Sequence, residues 1–144
     1  MALTPREVAD LVRKAVAGEG SFAALFAEDG VLAYPFTLPG MPAELAGREA
    51  ITQFTSAMGG AEDRFKMEGV EHETWQADDP EVVITKLRHW GHSNVTNAPH
   101  QFTSIGVMRV RDGLIVRYED YMDPINTARL FGLTESLVAA LTNS

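Results

Sequence analysis

The clearest pattern of apolar and polar positions lies between Phe102 and Met122, where two predicted strands flank a turn at Arg111-Asp112-Gly113. A three-residue loop with Gly113 in the left-handed conformation puts Ser104 opposite Asp120 and gathers the apolar residues on one face. A two-residue Asp-Gly turn is the alternative, and it mixes the two faces because register decides which side chains meet. The cleaner segregation favours the three-residue loop.

A single carboxylate interrupts the apolar face of this predicted hairpin. The face consists of Phe102, Ser104, Gly106, Met108 and Val110 against Leu114, Val116, Tyr118, Asp120 and Met122. Burying an unpaired carboxylate costs several kcal/mol, so an acid in this position must be neutralised, paired or used. Asp120 is therefore the first candidate for a functional residue.

Helical periodicity dominates the first part of the chain and returns at its end. Thr4-Pro5-Arg6-Glu7 is a capping box with proline at the first helical position, and Gly18 and Gly20 end that helix. The pattern predicts a second, short helix from Ser21 to Gly30 and a third from Gly47 to Gly59-Gly60. A last helical region, Ile125 to Leu141, is broken near Gly132 and starts again at Thr134.

Strand patterns fill the middle of the chain. Val31 to Tyr34 is short and extended, Phe65 to Ala77 is extended in an ambiguous register, and Val82 to His92 is one long strand. Helices followed by a meander of long strands and a C-terminal helix indicate an α+β fold, with helices over one face of a curved antiparallel sheet. No repeat or linker divides the chain, so we expect one domain, residues 1–144.

Composition narrows the choice of partners. The chain has 20 acidic and 12 basic residues and a net charge of −8, which argues against nucleic acid or an anionic membrane as the main partner. It has no cysteine, which excludes disulfides, thiolate metal sites and cysteine nucleophiles. No apolar run reaches the roughly 18 residues of a membrane span, and no signal-peptide pattern begins the chain, so we expect a cytoplasmic protein.

Several separated segments resemble the nuclear-transport-factor-2-like superfamily, in particular its SnoaL-like branch. These segments are Leu25-Phe26-Ala27-Glu28-Asp29-Gly30, Tyr34-Pro35 with Gly47-Arg48-Glu49-Ala50-Ile51, Asp112-Gly113-Leu114-Ile115, and Tyr118-Glu119-Asp120-Tyr121-Met122-Asp123-Pro124. The resemblance implies a cone-shaped barrel of cystatin-like topology, with about three to four helices around a deep apolar pocket, often a homodimer packed through the sheet. It does not fix a reaction, because the superfamily includes ketosteroid isomerases, limonene-epoxide-hydrolase-like enzymes, polyketide cyclases, phenazine-biosynthesis A/B proteins and non-catalytic members.

Comparison with each branch singles out Asp120 again. The ketosteroid isomerase pattern needs acids at the positions of Tyr34 and Gly106, and both are missing. The epoxide hydrolase pattern matches at Asp120, whereas its other two positions fall at Leu87 and His89. The phenazine A/B pattern places a glutamate where Asp120 stands.

His89 is the second candidate catalytic residue. On the strand Val82 to His92, the face that contains Leu87 and His89 is the more apolar one, so both residues should point inward with Asp120. Histidine titrates near neutral pH, and a carboxylate in apolar surroundings has a raised pKa. The two could form an acid/base pair, or a buried hydrogen-bonded pair that only orders the sheet. The remaining predicted substrate-binding residues are Tyr34 and Tyr118 as hydrogen-bond donors, Ser104 opposite Asp120, and Phe102, Leu87, Met108, Val116 and Met122 as apolar walls.

The favoured hypothesis is a small cofactor-independent enzyme that performs general acid/base chemistry on an apolar oxygenated small molecule, as an isomerase, cyclase or hydrolase. No histidine or acid cluster has metal-site spacing and no glycine-rich phosphate loop follows a strand, so neither a metal nor a nucleotide is predicted. The alternative is a non-catalytic small-molecule-binding or scaffold homodimer, with Trp75 and Trp90 as interface candidates. A partner-protein module that uses the exposed sheet face is a third, weaker reading.

Overall fold

A computed structural model describes residues 1–57, 65–94 and 96–143. The helices are α1 (Pro5–Val16), α2 (Arg48–Ala57), α3 (Pro124–Leu130) and α4 (Thr134–Thr142), with a short 3-10 turn at Ala23–Leu25. The strands are β1 (Phe26–Ala33), β2 (Glu44–Ala46), β3 (Phe65–Gln76), β4 (Val82–Ser93), β5 (Pro99–Arg111) and β6 (Leu114–Met122). The predicted α+β class and the single long strand Val82 to His92 are confirmed.

The six strands form one mixed, curved sheet in the order β2-β1-β6-β5-β4-β3. Neighbouring strands are antiparallel except β1 and β6, which run parallel. Among the described residues β2 and β3 are the two ends of the sheet and do not pair with each other, so the sheet is open and the expected barrel is not closed.

The segment predicted as a second helix is mostly strand. Ser21 accepts a hydrogen bond from the Ala24 backbone N–H, but only a 3-10 turn follows, and the chain is extended from Phe26. Phe26 is fully buried and pairs with Ile115 of β6. At Gly30 a Cβ atom would lie 2.7 Å from the Ile115 carbonyl oxygen, so glycine here permits close approach of two strands rather than ending a helix. Long-range pairing has overridden the local helical pattern.

The hairpin between β5 and β6 has the two-residue turn, which was the less favoured alternative because it mixes apolar and polar residues on the two strand faces. Arg111 pairs with Leu114, and Asp112 and Gly113 both have positive φ, at 52° and 80°. These values are those of a type I′ turn. The predicted three-residue loop and the pairing of Ser104 with Asp120 are therefore wrong.

A bulge next to this turn explains why most of the predicted face is nevertheless correct. The register shifts between Arg109 and Val110, leaving Val116 as the extra residue on β6. Beyond the bulge Met108 pairs with Tyr118, and even-numbered residues again oppose even-numbered ones. Between the bulge and the turn the parity is reversed, so Ile115, rather than Val116 or Leu114, is buried.

Helices cover one face of the sheet. The capping box at Thr4 is present as predicted, and α1 packs Val8, Ala9 and Val12 against β3, β4 and β5. At the other end, Asp123 caps α3 by accepting hydrogen bonds from two backbone N–H groups. Asn126 Nδ2 donates to the Gln101 carbonyl at 2.6 Å, which ties α3 to β5. In the part of the chain described here, the helices are too short or too polar to span a membrane.

Candidate functional site

An apolar cavity of about 260 Å³ lies between the sheet and the helices. Five of the predicted site residues line it: Asp120, His89, Tyr34, Phe102 and Met122. They come from β6, β4, β5 and the residue after β1, so four segments that are distant in sequence meet here. A concave, mostly apolar space with a few polar groups is the usual form of a small-molecule site.

Asp120 brings a carboxylate to this cavity. Its Oδ1 is buried and has no hydrogen-bond partner, and burial raises the pKa of the Asp120 carboxyl to about 6. A carboxylate with this pKa is ionised at neutral pH yet accepts a proton readily, which suits a general base. Oδ1 therefore lacks the fixed partner that a structural acid would have.

Two tyrosine side chains lie close to Asp120. Tyr34 lines the cavity, and burial together with the negative charge of Asp120 raises the pKa of its hydroxyl. Burial and the same charge raise the pKa of the Tyr118 hydroxyl. Both tyrosines are therefore neutral at physiological pH and available as hydrogen-bond donors.

Tyr118 leans across the strand pair toward Gly106, the residue that pairs with Asp120. Its hydroxyl lies where a Cβ atom of any other residue at position 106 would be. Its ring contacts Phe22 edge-on, with ring centroids 5.3 Å apart, and Phe26 at a tilt, with ring centroids 6.3 Å apart. The missing second acid of the ketosteroid isomerase pattern thus leaves a space that a tyrosine hydroxyl fills.

His89 occupies a different part of the cavity, between two phenylalanine rings. It stacks on Phe102 with ring centroids 5.0 Å apart and meets Phe65 edge-on at 5.8 Å. Burial lowers the pKa of the imidazole, so His89 is neutral at physiological pH. Its Nδ1 is buried and has no hydrogen-bond partner.

Asp120 Oδ1 and His89 Nδ1 are not hydrogen-bonded to each other, so the alternative of a buried hydrogen-bonded pair finds no support at these atoms. On the intervening strand β5, His89 is paired with Phe102 and Asp120 with Gly106. Those two rows are four residues apart, about 13 Å at the usual rise of a strand. The β4 residue in the row of Asp120 is Thr85.

The other five predicted binding residues lie outside the cavity wall formed by the described residues. Leu87, Met108 and Tyr118 belong to the buried core beneath the sheet. Ser104 pairs with Leu87 and Met122 rather than with Asp120, and Val116 is the bulged residue near the turn. Tyr118 keeps a connection to the site through its proximity to Asp120, whereas the side chains of the other four are not among the described residues that line the cavity.

The sequence interpretation missed part of the cavity wall. These residues are Met41, Phe54, Phe65, Met67, Thr127, Leu130 and Phe131. Phe54 lies on α2, the third helix predicted from the sequence, whose predicted end at Gly59-Gly60 lies outside the described residues. The α3 residues could not be placed from periodicity, because their position depends on the tertiary contact between Asn126 and Gln101.

Comparison with known proteins assigns the family. Residues 15–118 match the family model described as a SnoaL-like domain, which covers well over half of the chain. The chain therefore belongs to the SnoaL-like branch of the nuclear-transport-factor-2-like superfamily, as the sequence resemblance indicated.

Two relatives match at similar levels. The uncharacterised protein YesE of Bacillus subtilis is 28% identical over 113 residues, which cover 78% of this chain and 75% of the relative. An uncharacterised PhzA/B-like protein of Pseudomonas aeruginosa is 27% identical over 112 residues, with 78% and 77% covered.

Solved structures agree with the fold. A Bacillus subtilis protein provisionally named an isomerase has a TM-score of 0.68 and 25% identity, with 89% of each chain covered. A Xanthomonas campestris protein of unknown function with a cystatin-like fold has a TM-score of 0.67 and 13% identity, covering 89% of this chain and 98% of its own. The second likeness supports the predicted cystatin-like topology.

Proposed function

We propose that this protein is a cofactor-independent enzyme in which Asp120 performs general acid/base chemistry on an apolar, oxygenated small molecule. One observation carries the proposal: Asp120 Oδ1 is buried beside an apolar cavity without a hydrogen-bond partner. An unsatisfied buried carboxylate is costly, so it persists where a bound molecule supplies the missing interaction.

The reaction class that fits this arrangement best begins with removal of a proton from a carbon next to a carbonyl. The C–H proton moves to the Asp120 carboxylate, and the electron pair of the broken bond moves onto the carbonyl oxygen as an enolate. In a substrate with a carbon–carbon double bond next to the reacting carbon, the enolate extends over that bond, and return of the proton from Asp120 to its far carbon would give an isomerase. Attack of the enolate carbon on a second carbonyl carbon, with return of the proton from Asp120 to the new alkoxide oxygen, would give a cyclase. Both outcomes need the same base.

Tyr34 is suited to stabilise the enolate oxygen. It lines the cavity, and a neutral hydroxyl group near a buried acid can donate a hydrogen bond to an oxygen on which negative charge develops. Tyr118 also lies near Asp120, but it belongs to the buried core and is not among the residues that line the cavity.

A purely structural role for Asp120 accounts less well for these features. A structural acid should be satisfied by fixed internal partners, and Oδ1 is not. It should also lack an adjoining space large enough for a ligand, whereas the cavity of about 260 Å³ lies beside it.

The test is exchange of deuterium from D₂O into 2-tetralone, a compact apolar ketone with acidic C–H groups on both sides of its carbonyl, followed by NMR. We expect the wild-type protein to accelerate exchange above the buffer rate and Asp120→Asn to lose about 100- to 10,000-fold of that acceleration. The matched control is Glu119→Gln, which removes a carboxylate from the neighbouring residue, where Glu119 forms an ion pair with Arg117. Equal exchange by wild type and Asp120→Asn would refute the role of Asp120.

A second candidate function is that of a non-catalytic ligand-binding homodimer, and the outer face of the sheet offers a candidate dimer contact. Trp75 and Ile105 are 46% and 42% exposed there, among ion pairs such as Arg88 with Glu71. We propose this face as the dimer contact in either function. Light scattering of wild type and Trp75→Glu tests it: a wild-type dimer that becomes monomeric supports the contact, and a wild-type monomer contradicts it.

A further inference from the structure

The apolar cavity contains two unpartnered polar atoms that do not interact with each other. Asp120 Oδ1 and His89 Nδ1 are both buried without a hydrogen-bond partner, and both residues line the same space. Their rows in the sheet are about 13 Å apart along the strands. The two residues therefore lie at different places along the cavity wall, where a ligand can meet each of them with a separate polar group.

The surroundings of His89 are those of a binding group rather than of a proton carrier. Phe102 and Phe65 hold the imidazole by stacking and edge contact, and burial keeps it neutral by lowering its pKa. The unpartnered Nδ1 of a neutral imidazole is an N–H donor in one tautomer and an acceptor in the other, and a hydroxyl group of a ligand can bond to it in either case. No charged group of the ligand is required.

The space between the two residues is apolar and adaptable. Met41, Met67 and Met122 line it together with Phe54, and methionine side chains adjust to flat rings of varied outline. A volume of about 260 Å³ accommodates a fused bicyclic ring system.

We propose that His89 is a specificity residue that binds a hydroxyl group at the far end of a flat, bicyclic substrate whose reactive carbonyl end lies at Asp120. The inference rests on the proposed function for the identity of the reactive end. The substrate class is thus a hydroxylated fused-ring ketone, with its two oxygen atoms at opposite corners and an apolar body between them.

The experiment compares two probes that differ by one hydroxyl group, 2-tetralone and 6-hydroxy-2-tetralone. In the second probe the hydroxyl and the carbonyl stand at opposite corners of the bicycle. Dissociation constants are measured by calorimetry for wild type, His89→Phe and Asp120→Asn. His89→Phe keeps an aromatic ring between Phe65 and Phe102 and removes only the hydrogen-bonding nitrogens.

We expect the hydroxylated probe to bind wild type roughly tenfold more tightly, the size of one well-formed hydrogen bond. That preference should fall to about onefold in His89→Phe and persist in Asp120→Asn. His89→Gln, which retains a donor and an acceptor, should recover part of it. The matched control is His100→Phe, because His100 also contacts Phe65 but does not line the cavity, and its preference should equal that of wild type.

Three results would overturn the proposal: an unchanged preference in a folded His89→Phe, a preference that depends on Asp120 instead, or no detectable binding of either probe to wild type. If His89→Phe does not fold, His89→Leu replaces it in the same comparison. Failure of the proposed function gives a different pattern, since absent deuterium exchange with an intact His89-dependent preference leaves a binding site without catalysis.

Discussion

Asp120 and Glu81 are carboxylates of the same strand meander with opposite surroundings. Burial without a partner raises the pKa of Asp120 to about 6. Hydrogen bonds from Arg111 and Arg109 lower the pKa of Glu81 to about 2. Glu81 accepts from the Arg111 Nε at 2.9 Å and from the Arg109 Nη1 at 3.0 Å, and Asp79 joins the same network.

The Glu81 carboxylate stabilises the fold through its ion pairs, whereas the Asp120 carboxylate does not. The network around Glu81 joins the start of β4 to the end of β5, beside the hairpin turn. Asp120 Oδ1 makes no such connection between strands, and desolvation disfavours the ionised form of the Asp120 carboxyl group. Removal of the charge should therefore increase the stability of the folded protein at Asp120 and decrease it at Glu81.

The largest effect on stability is expected from Asp120→Asn. Between pH 3.8 and about 6 the folded protein binds a proton that the unfolded chain has lost, so stability falls as pH rises through this window. At pH 7.5 the variant should be more stable than wild type by up to about 3 kcal/mol, and at pH 4 nearly equal to it. Urea unfolding at both pH values measures this, and a loss of stability at pH 7.5 would show that Asp120 is satisfied in the folded state.

Gly106→Ala should have the next largest effect. The new methyl group would occupy the space of the Tyr118 hydroxyl, and overpacking of a tight core costs about 1–3 kcal/mol. The matched control is Ser104→Ala, two residues away on the same face, which should leave stability and deuterium exchange close to wild type. Similar thermal midpoints for Gly106→Ala and wild type would mean that Tyr118 can move aside freely.

The pH dependence of catalysis should follow the ionisation of Asp120. Because only the carboxylate form can accept the substrate proton, the exchange rate at pH 5 should be about tenfold below its plateau above pH 7, with a midpoint near 6. Glu119→Gln should show the same midpoint. A profile that is flat from pH 5 to pH 8 in a protein with unchanged near-UV circular dichroism would exclude Asp120 as the base.

The smallest effect on stability is expected from Glu81→Gln, which should destabilise the protein, whereas Asp120→Asn should stabilise it. The folded pKa is lowered, so the stabilising contribution of Glu81 is present above pH 4.5 and disappears as pH falls toward 2. The variant should melt slightly below wild type at neutral pH, and added salt should reduce the difference because the ion pairs are exposed. A difference independent of salt would point to packing rather than charge.

The sequence predicted residues near the site with uneven success, for reasons that can be traced to particular elements. Asp120 and His89 were found because strand alternation reports which side chains share a face. The separation between them was not predicted, because it depends on how far β4, β5 and β6 are shifted along one another. A two-residue turn with an adjoining bulge gave the same faces as the three-residue loop at Tyr118 and Asp120, but shifted the pairing of Asp120 from Ser104 to Gly106.

Local pattern also failed where a distant strand changed the outcome, as at Phe26 to Gly30. A short helix there satisfied the periodicity, yet parallel pairing with β6 made the segment a strand. Similarly, α3 reaches the cavity only because its cap at Asp123 and its contact with Gln101 fix its direction.

The sequence by itself determined the α+β class, the family, the capped first helix and the presence of an acid on an apolar strand face, because each follows from local periodicity or from motifs in a fixed order. The tertiary structure alone decided that Asp120 and His89 share a cavity without touching, that Tyr118 takes the space above Gly106, and that the sheet stays open. These features depend on register and on packing between elements distant along the chain, which no local pattern encodes.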